Sequence, residues 1–305
     1  MEIVGSFDSN LKELEKISGS SIFFRGNSII IKGNKSSNER VKDAIEYLID
    51  RFRLDKKIDR NDIITALNTN MVKETKDQTT VQSINDVIKT PKRSVIPRSK
   101  KQKEYVRSLK NSQVVMSLGP AGTGKTYLAV AVALSMLLEK KVERIILSRP
   151  AVEAGEKLGF LPGDMKDKID PYLRPLYDSL YDLVDYDKIQ RKIESGTIEI
   201  APLAFMRGRT LKNSFAILDE AQNATETQIK MFLTRIGQNS KIVVNGDPSQ
   251  IDLPNKSQSG LQKSQNILKN IKEISVINFD HHDVMRHPLV TKIVEAYQKK
   301  ENDKG

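Results

Sequence analysis

The chain has 305 residues, 38% of them hydrophobic and 29% charged, with a net charge of +11. That is apolar enough for about two domains of roughly 100–200 residues and excludes wholesale disorder. The absence of cysteine excludes disulfides, a thiolate metal site and a cysteine nucleophile, and reads as cytoplasmic.

Residues 1–68 are mixed in composition. Leu11, Leu14 and Ile17 recur at helical spacing, and 21–31 reads as strand, glycine turn, strand. Val41, Ile45, Leu48, Ile49 and Phe52 then mark a second helix. These elements predict a small α+β domain. The first ten residues hold two acids and no base, unlike a secretory signal.

Residues 69–110 read as a basic linker. Polar residues dominate, and Pro91 and Pro97 interrupt any regular element. Residues 89–110 alone hold nine bases and one acid, so most of the positive charge sits in one short segment. It is either a solvated run or a set of phosphate contacts.

From 111 to 298 strand and helix alternate, and 299–305 is a polar tail. Strands are expected at 113–118, 144–148, 197–201, 215–219, 241–245 and 274–279, all short and apolar on both faces. Helices are expected at 126–138, at 165–183 with interruptions near Pro171 and Pro175, and at 226–236, capped by Thr225 and Gln228 and ended by Gly237. The run 127–138 is too short for the ~20 residues of a membrane span, so no membrane association is expected. The pattern predicts an α/β fold, a parallel sheet with helices on both faces.

Gly119-Pro120-Ala121-Gly122-Thr123-Gly124-Lys125-Thr126 satisfies the Walker A pattern between the first of these strands and its helix. Glycines at these places let main-chain N–H groups turn inward around a polyphosphate, at a helix N-terminus that adds partial positive charge. Lys125 is expected to reach the β- and γ-phosphates of ATP, and Thr126 to ligate Mg²⁺. Another apolar strand ends in Asp219-Glu220, which assigns Asp219 to Mg²⁺ and Glu220 to activation of water. A second acid beyond the metal-binding one indicates hydrolysis rather than a kinase. Gly246-Asp247-Pro248-Ser249-Gln250 closes a third strand; Gln250 is either a reporter on the γ-phosphate or part of an ordinary turn.

With Asp219-Glu220-Ala221-Gln222, Gly246-Asp247-Pro248-Ser249-Gln250, the stretch from Arg149-Pro150 to Asp164, Pro202 to Thr210, and Asp283 to Val290, the chain resembles the PhoH family of P-loop ATPases over about residues 98–298. That family is related to the superfamily-one helicases, so the resemblance implies a RecA/helicase-like P-loop fold. It also implies ATP and Mg²⁺, and a place in bacterial RNA metabolism with an endoribonuclease of ribosome maturation as a possible partner. It likens residues 1–68 to a KH domain, although no Gly-x-x-Gly loop is present to clamp nucleotides. Gln102, seventeen residues before Gly119, resembles the adenine-reading glutamine of the related helicases; the bland alternative is a solvent-facing helix residue. Arg149, Arg207, Arg209 and Arg286 are candidates for an arginine finger, and Arg286 has the place after the last strand that the resemblance favours. His281, His282, Asp283 and His287 cluster without the further ligands of a metal site. One motor domain translocates only as an oligomer, so a homo-oligomer, in the form of a ring, is expected. The alternative is a nucleotide-gated scaffold that turns over slowly and regulates a protein partner.

Overall fold

A computed structural model describes residues 8–26, 28–55, 86–150 and 165–285, with isolated positions between 58 and 67. The chain divides into two compact units, 1–85 and 86–305.

In the first unit α1 (Ser9–Ser18), β1 (Ser21–Arg25), β2 (Ser28–Lys32) and α2 (Lys35–Asp55) follow in that order. Leu11 and Leu14 of α1, Ile22 of β1, and Val41, Ala44, Ile45 and Leu48 of α2 bury one core. The strands pair antiparallel, Ile22 opposite Ile31 and Phe23 opposite Ile30. Gly19 ends α1 and Gly26 turns the hairpin, both at positive φ, where a side chain would be strained.

The second unit begins earlier than the composition suggested. Residues 88–95 form a hairpin of β3 (Ile88–Lys89) and β4 (Ser94–Val95), with Pro91 in its turn, and Lys100–Asn111 form α3. Ile88, Val95, Tyr105, Val106 and Leu109 are core residues. The linker reading therefore fails from residue 86 onward. The charges lie on the solvated side of α3, while Gln102, Tyr105, Val106 and Leu109 line its buried side. Pro97 precedes the helix, and Ser99 caps it by accepting from the Gln102 N–H at 3.1 Å.

Six parallel strands follow: β5 (Val114–Leu118), β6 (Arg144–Arg149), β7 (Ile198–Pro202), β8 (Ser214–Leu218), β9 (Lys241–Gly246) and β10 (Ile274–Asn278). Their order across the sheet is β10-β5-β9-β8-β6-β7. Each lies within one residue of its predicted position, because fully covered strands are apolar throughout and polar residues mark their ends. Of the helices, α4 (Lys125–Leu138), α5 (Met165–Leu183) and α6 (Tyr186–Glu194) pack with α3 on one face. On the other face lie α7 (Glu226–Leu233) and α8 (Leu261–Leu268). This is the α/β P-loop architecture.

Three helix expectations need correction. α5 runs through Pro171 and Pro175 without a break; each proline withholds only its own N–H from the carbonyl four residues before it, and the helix continues past both. α7 has the capping box of Thr225 and Gln228 but ends at Leu233, before Gly237. α6 and α8 went unread, since each is short and mostly polar. Among the described residues no helix is long and apolar enough to cross a membrane.

Candidate active site

The strand order decides where the chemistry collects. β9 lies between β5 and β8, so the loops after three adjacent parallel strands meet at one end of the sheet. At ~4.8 Å per strand, the end of β8 is about 10 Å from the end of β5. A cleft of about 250 Å³ opens there, lined by Lys125, Thr126, Asp219, Glu220, Asp247 and Gln250 among others.

Residues 119–124 form the P-loop, with Gly119, Gly122 and Gly124 at φ 143°, 86° and 80°. A Cβ on Gly119 would lie 2.5 Å from Phe279 O, so the loop backbone packs directly on the end of β10. No side chain caps α4 at Gly124. Gly124 to Tyr127, at the start of this 14-residue helix, line the cleft, so the positive end of its dipole lies there. Lys125 Nζ donates to the carbonyls of Gly119 at 2.7 Å and Pro120 at 2.8 Å, and to Thr123 Oγ1 at 3.3 Å. Thr123 Oγ1 in turn donates to Pro120 O at 3.0 Å. Asp247 Oδ2 braces the loop from β9 by accepting from the Ala121 N–H at 3.0 Å.

Across the cleft, Thr126 Oγ1 donates to Asp219 Oδ1 at 2.6 Å. Asp219 is buried and the Glu220 carboxylate faces the cleft. One hydroxyl and one carboxylate are hard oxygen donors. Among the described residues no group of three or more acids or histidines could form a closed metal cage. That is the donor set of Mg²⁺, which keeps several waters and shares phosphate oxygens. The cradle and its donors thus fit a nucleoside triphosphate with Mg²⁺.

Glu220 sits at φ 53°, a conformation a non-glycine residue adopts only when its surroundings hold it. Gln222 supplies part of that hold. Its Nε2 donates to Glu220 Oε2 at 2.6 Å and to Gln250 O at 3.0 Å, while its Oε1 accepts from the Asp247 N–H at 3.0 Å. Asn223 and Asp252 bond reciprocally, at 2.8 and 3.1 Å, and tie the same two loops together. Gln250 lies on the cleft, its Nε2 on Asp247 Oδ2 at 2.6 Å. Arg149 bonds both Asp219 and Glu220.

Gln102 does not present its amide to a base. α3 turns it inward, where it is 5% exposed. Its Nε2 donates to Thr123 O at 3.0 Å and its Oε1 accepts from the Arg98 N–H at 2.6 Å. It is a brace behind the P-loop. Ser99-Lys100-Lys101-Gln102 has the spacing of a capping box, the signal that would have placed it on a helix start. Tyr105 is a second brace that sequence reasoning missed: its hydroxyl donates to Asn245 Oδ1 at 2.8 Å and contacts Lys125 O at 3.3 Å. Burial pushes that phenol far above its ordinary range and keeps it a donor. Removal of the Gln102 side chain removes its bonds to Thr123 O and the Arg98 N–H. Gln102→Ala is therefore expected to lower stability by about 1–3 kcal/mol in thermal melts, with the ATP over GTP preference unchanged. Loss of that preference would restore the adenine role.

Of the remaining candidates, Arg209 is locked by two bonds to Glu199, at 2.6 and 2.7 Å, and Arg207 is exposed. Asp283 is buried and accepts from Ser99 Oγ at 2.6 Å. Arg286, His287 and residues 151–164 lie outside the described residues.

Residues 94–298 match the family described as PhoH-like protein. A PhoH-like protein of Bacillus subtilis is 47% identical over 98% of this chain and 94% of its own length. One of Synechocystis is 44% identical over 98% of this chain and 92% of its own. Among solved structures, the Hef helicase domain of Pyrococcus furiosus aligns with 60% of this chain and 38% of its own, at 14% identity and a TM-score of 0.37. That likeness adds nothing to the sheet order above. With the family matched over residues 94–298 and relatives aligned along nearly the full length, the chain belongs to the PhoH-like proteins.

Proposed function

We propose that this chain is a Mg²⁺-dependent ATP hydrolase of the cytoplasm that couples turnover to RNA as a homo-oligomer. The observation that carries the hydrolytic reading is the 2.6 Å bond between Thr126 and Asp219, with Glu220 the next residue along at the cleft. It places the hydroxyl that follows the P-loop lysine, a metal-type carboxylate and a second acid around one space. On binding, Lys125 exchanges loop carbonyls for β- and γ-phosphate oxygens. Mg²⁺, when bound, neutralises charge on those oxygens. Glu220 accepts a proton from water as the water oxygen bonds the γ-phosphorus and the bond to the β,γ-bridging oxygen breaks, leaving ADP and phosphate. A response of Gln250 to the departure of phosphate is supported by its bond to Asp247, which braces the P-loop.

The RNA reading is supported by the nine bases and one acid of residues 89–110, now carried on a folded hairpin and α3. Lys100, Lys103 and Arg107 recur at helical spacing along one side of that helix. Turnover measured with and without single-stranded RNA tests it. At least tenfold stimulation is expected, with RNA affinity falling as salt rises, at a slope of about −0.7 for each phosphate contact. Sedimentation is expected to show an assembly larger than one chain. Slow turnover indifferent to RNA, with ATP-dependent capture of an endoribonuclease, would favour the nucleotide-gated scaffold.

A further inference from the structure

Arg149 ends β6, the strand next to β8, and Ser148 is in register with Leu218. That register sets the arginine against the first residues beyond β8. Its Nη2 donates to Asp219 Oδ2 and to Glu220 Oε1, each at 3.0 Å, and its Nη1 donates to Tyr172 O of α5 at 3.0 Å. The side chain is 15% exposed. A planar guanidinium reaches separated acceptors from two nitrogens in a fixed fork, whereas an ammonium offers all its donors from one atom. So engaged, Arg149 faces the two carboxylates rather than a phosphate.

Glu220 needs such a neighbour. Its side chain is 41% exposed, its backbone is left-handed, and it lies beside a second carboxylate that repels it. Gln222 holds only Oε2. Arg149 holds Oε1, and with both oxygens engaged the plane of the carboxylate is set. Through Tyr172 O the same guanidinium is tied to α5, whose Ser179 also lines the cleft.

We propose that Arg149 is a positioning residue: it sets the Glu220 carboxylate for attack by water and links that setting to α5, so that movement of α5 alters the chemical step. This rests on the hydrolytic reading of the site. A residue in this role acts through Glu220 and leaves nucleotide binding alone, whereas a finger on the γ-phosphate would contribute to both.

The test uses the full chain carrying Arg149→Ala or Arg149→Lys, each alone and combined with Glu220→Gln. It reads steady-state kcat and KM, calorimetric binding of adenylyl imidodiphosphate, and hydrogen exchange across residues 171–183. Arg149→Ala is expected to lower kcat at least about 30-fold, with KM and analogue affinity within about threefold of the parent. In the Glu220→Gln background the same change is expected to lower the residual rate by less than about threefold, because the group it positions is already gone. Amide exchange in α5 is expected to rise about fivefold or more while that of β5 and β9 is unchanged. Arg149→Lys keeps the charge that balances Asp219, so it preserves the fold if the alanine variant does not. It is expected to show the same pattern with a smaller fall in kcat. A matching loss of analogue affinity, multiplicative losses in the double variant, or unchanged exchange in α5 would overturn the proposal. Absence of ATP turnover in the parent chain would overturn the hydrolytic reading itself, an outcome distinct from a parent that turns over and an Arg149 variant that fails these criteria.

Discussion

Lys125→Ala is expected to weaken ATP binding at least about 100-fold and to abolish measurable turnover. The Lys125 ammonium is held by the carbonyls of Gly119 and Pro120, at 2.7 and 2.8 Å, within the loop that would surround the phosphates. A charge-assisted hydrogen bond contributes roughly 1.5–3 kcal/mol, and a triphosphate would take at least two from this group. Their loss amounts to about 3–6 kcal/mol, or 10²–10⁴ in affinity. Alanine also leaves the two loop carbonyls without this donor, so the cradle loses shape as well as charge. Calorimetric titration of Mg·ATP checks the first expectation and phosphate release the second. Retained affinity within about threefold of the parent would remove Lys125 from phosphate binding. A thermal melt run alongside separates that result from loss of fold, since α4 keeps its apolar face whichever residue begins it.

Much of this site could be read before any coordinates, for a definite reason. The P-loop, Asp219-Glu220 and the turn at Asp247 each follow a strand directly, and a covered strand announces its end by the first polar residue. What could not be read is which strands are neighbours. Arg149 and Glu220 are 71 residues apart and meet only because β6 pairs with β8. Nothing in the local pattern around Arg149 distinguishes it from Arg207, which is exposed, or Arg209, which Glu199 binds. Gln102 shows a different limit: a resemblance suggested a contact to a base, while the fold shows its amide engaged behind the P-loop, which nothing in its local pattern announced. The basic stretch misled for a simpler cause: six charged residues among the twelve of α3 conceal an apolar side of only three residues, Tyr105, Val106 and Leu109. The prolines of α5 misled because each removes only its own N–H bond, and the helix continues past both.

Glu220→Gln is expected to keep ATP bound and to lower kcat by about 10²–10⁴, the usual range for loss of a general base. The substitution is nearly isosteric. Its carbonyl oxygen can still accept from Arg149, whose Nη2 lies 3.0 Å from Oε1. The other end would carry an amide where Oε2 now accepts from Gln222 at 2.6 Å, so Gln222 must turn away. Gln222 reaches the P-loop through Asp247, from whose N–H it accepts and whose carboxylate braces Ala121, so the shift lies two bonds from the phosphate cradle. Affinity for ATP is therefore expected to remain within about threefold of the parent. Lys125→Ala and Glu220→Gln thus separate the two halves of the site: the first removes binding and with it turnover, the second leaves the complex and removes the step that consumes it. Single-turnover measurements at saturating ATP provide the check, since they isolate bond cleavage from product release. A cleavage rate within about twofold of the parent would show that water is activated elsewhere, leaving Glu220 to balance Arg149 and no more.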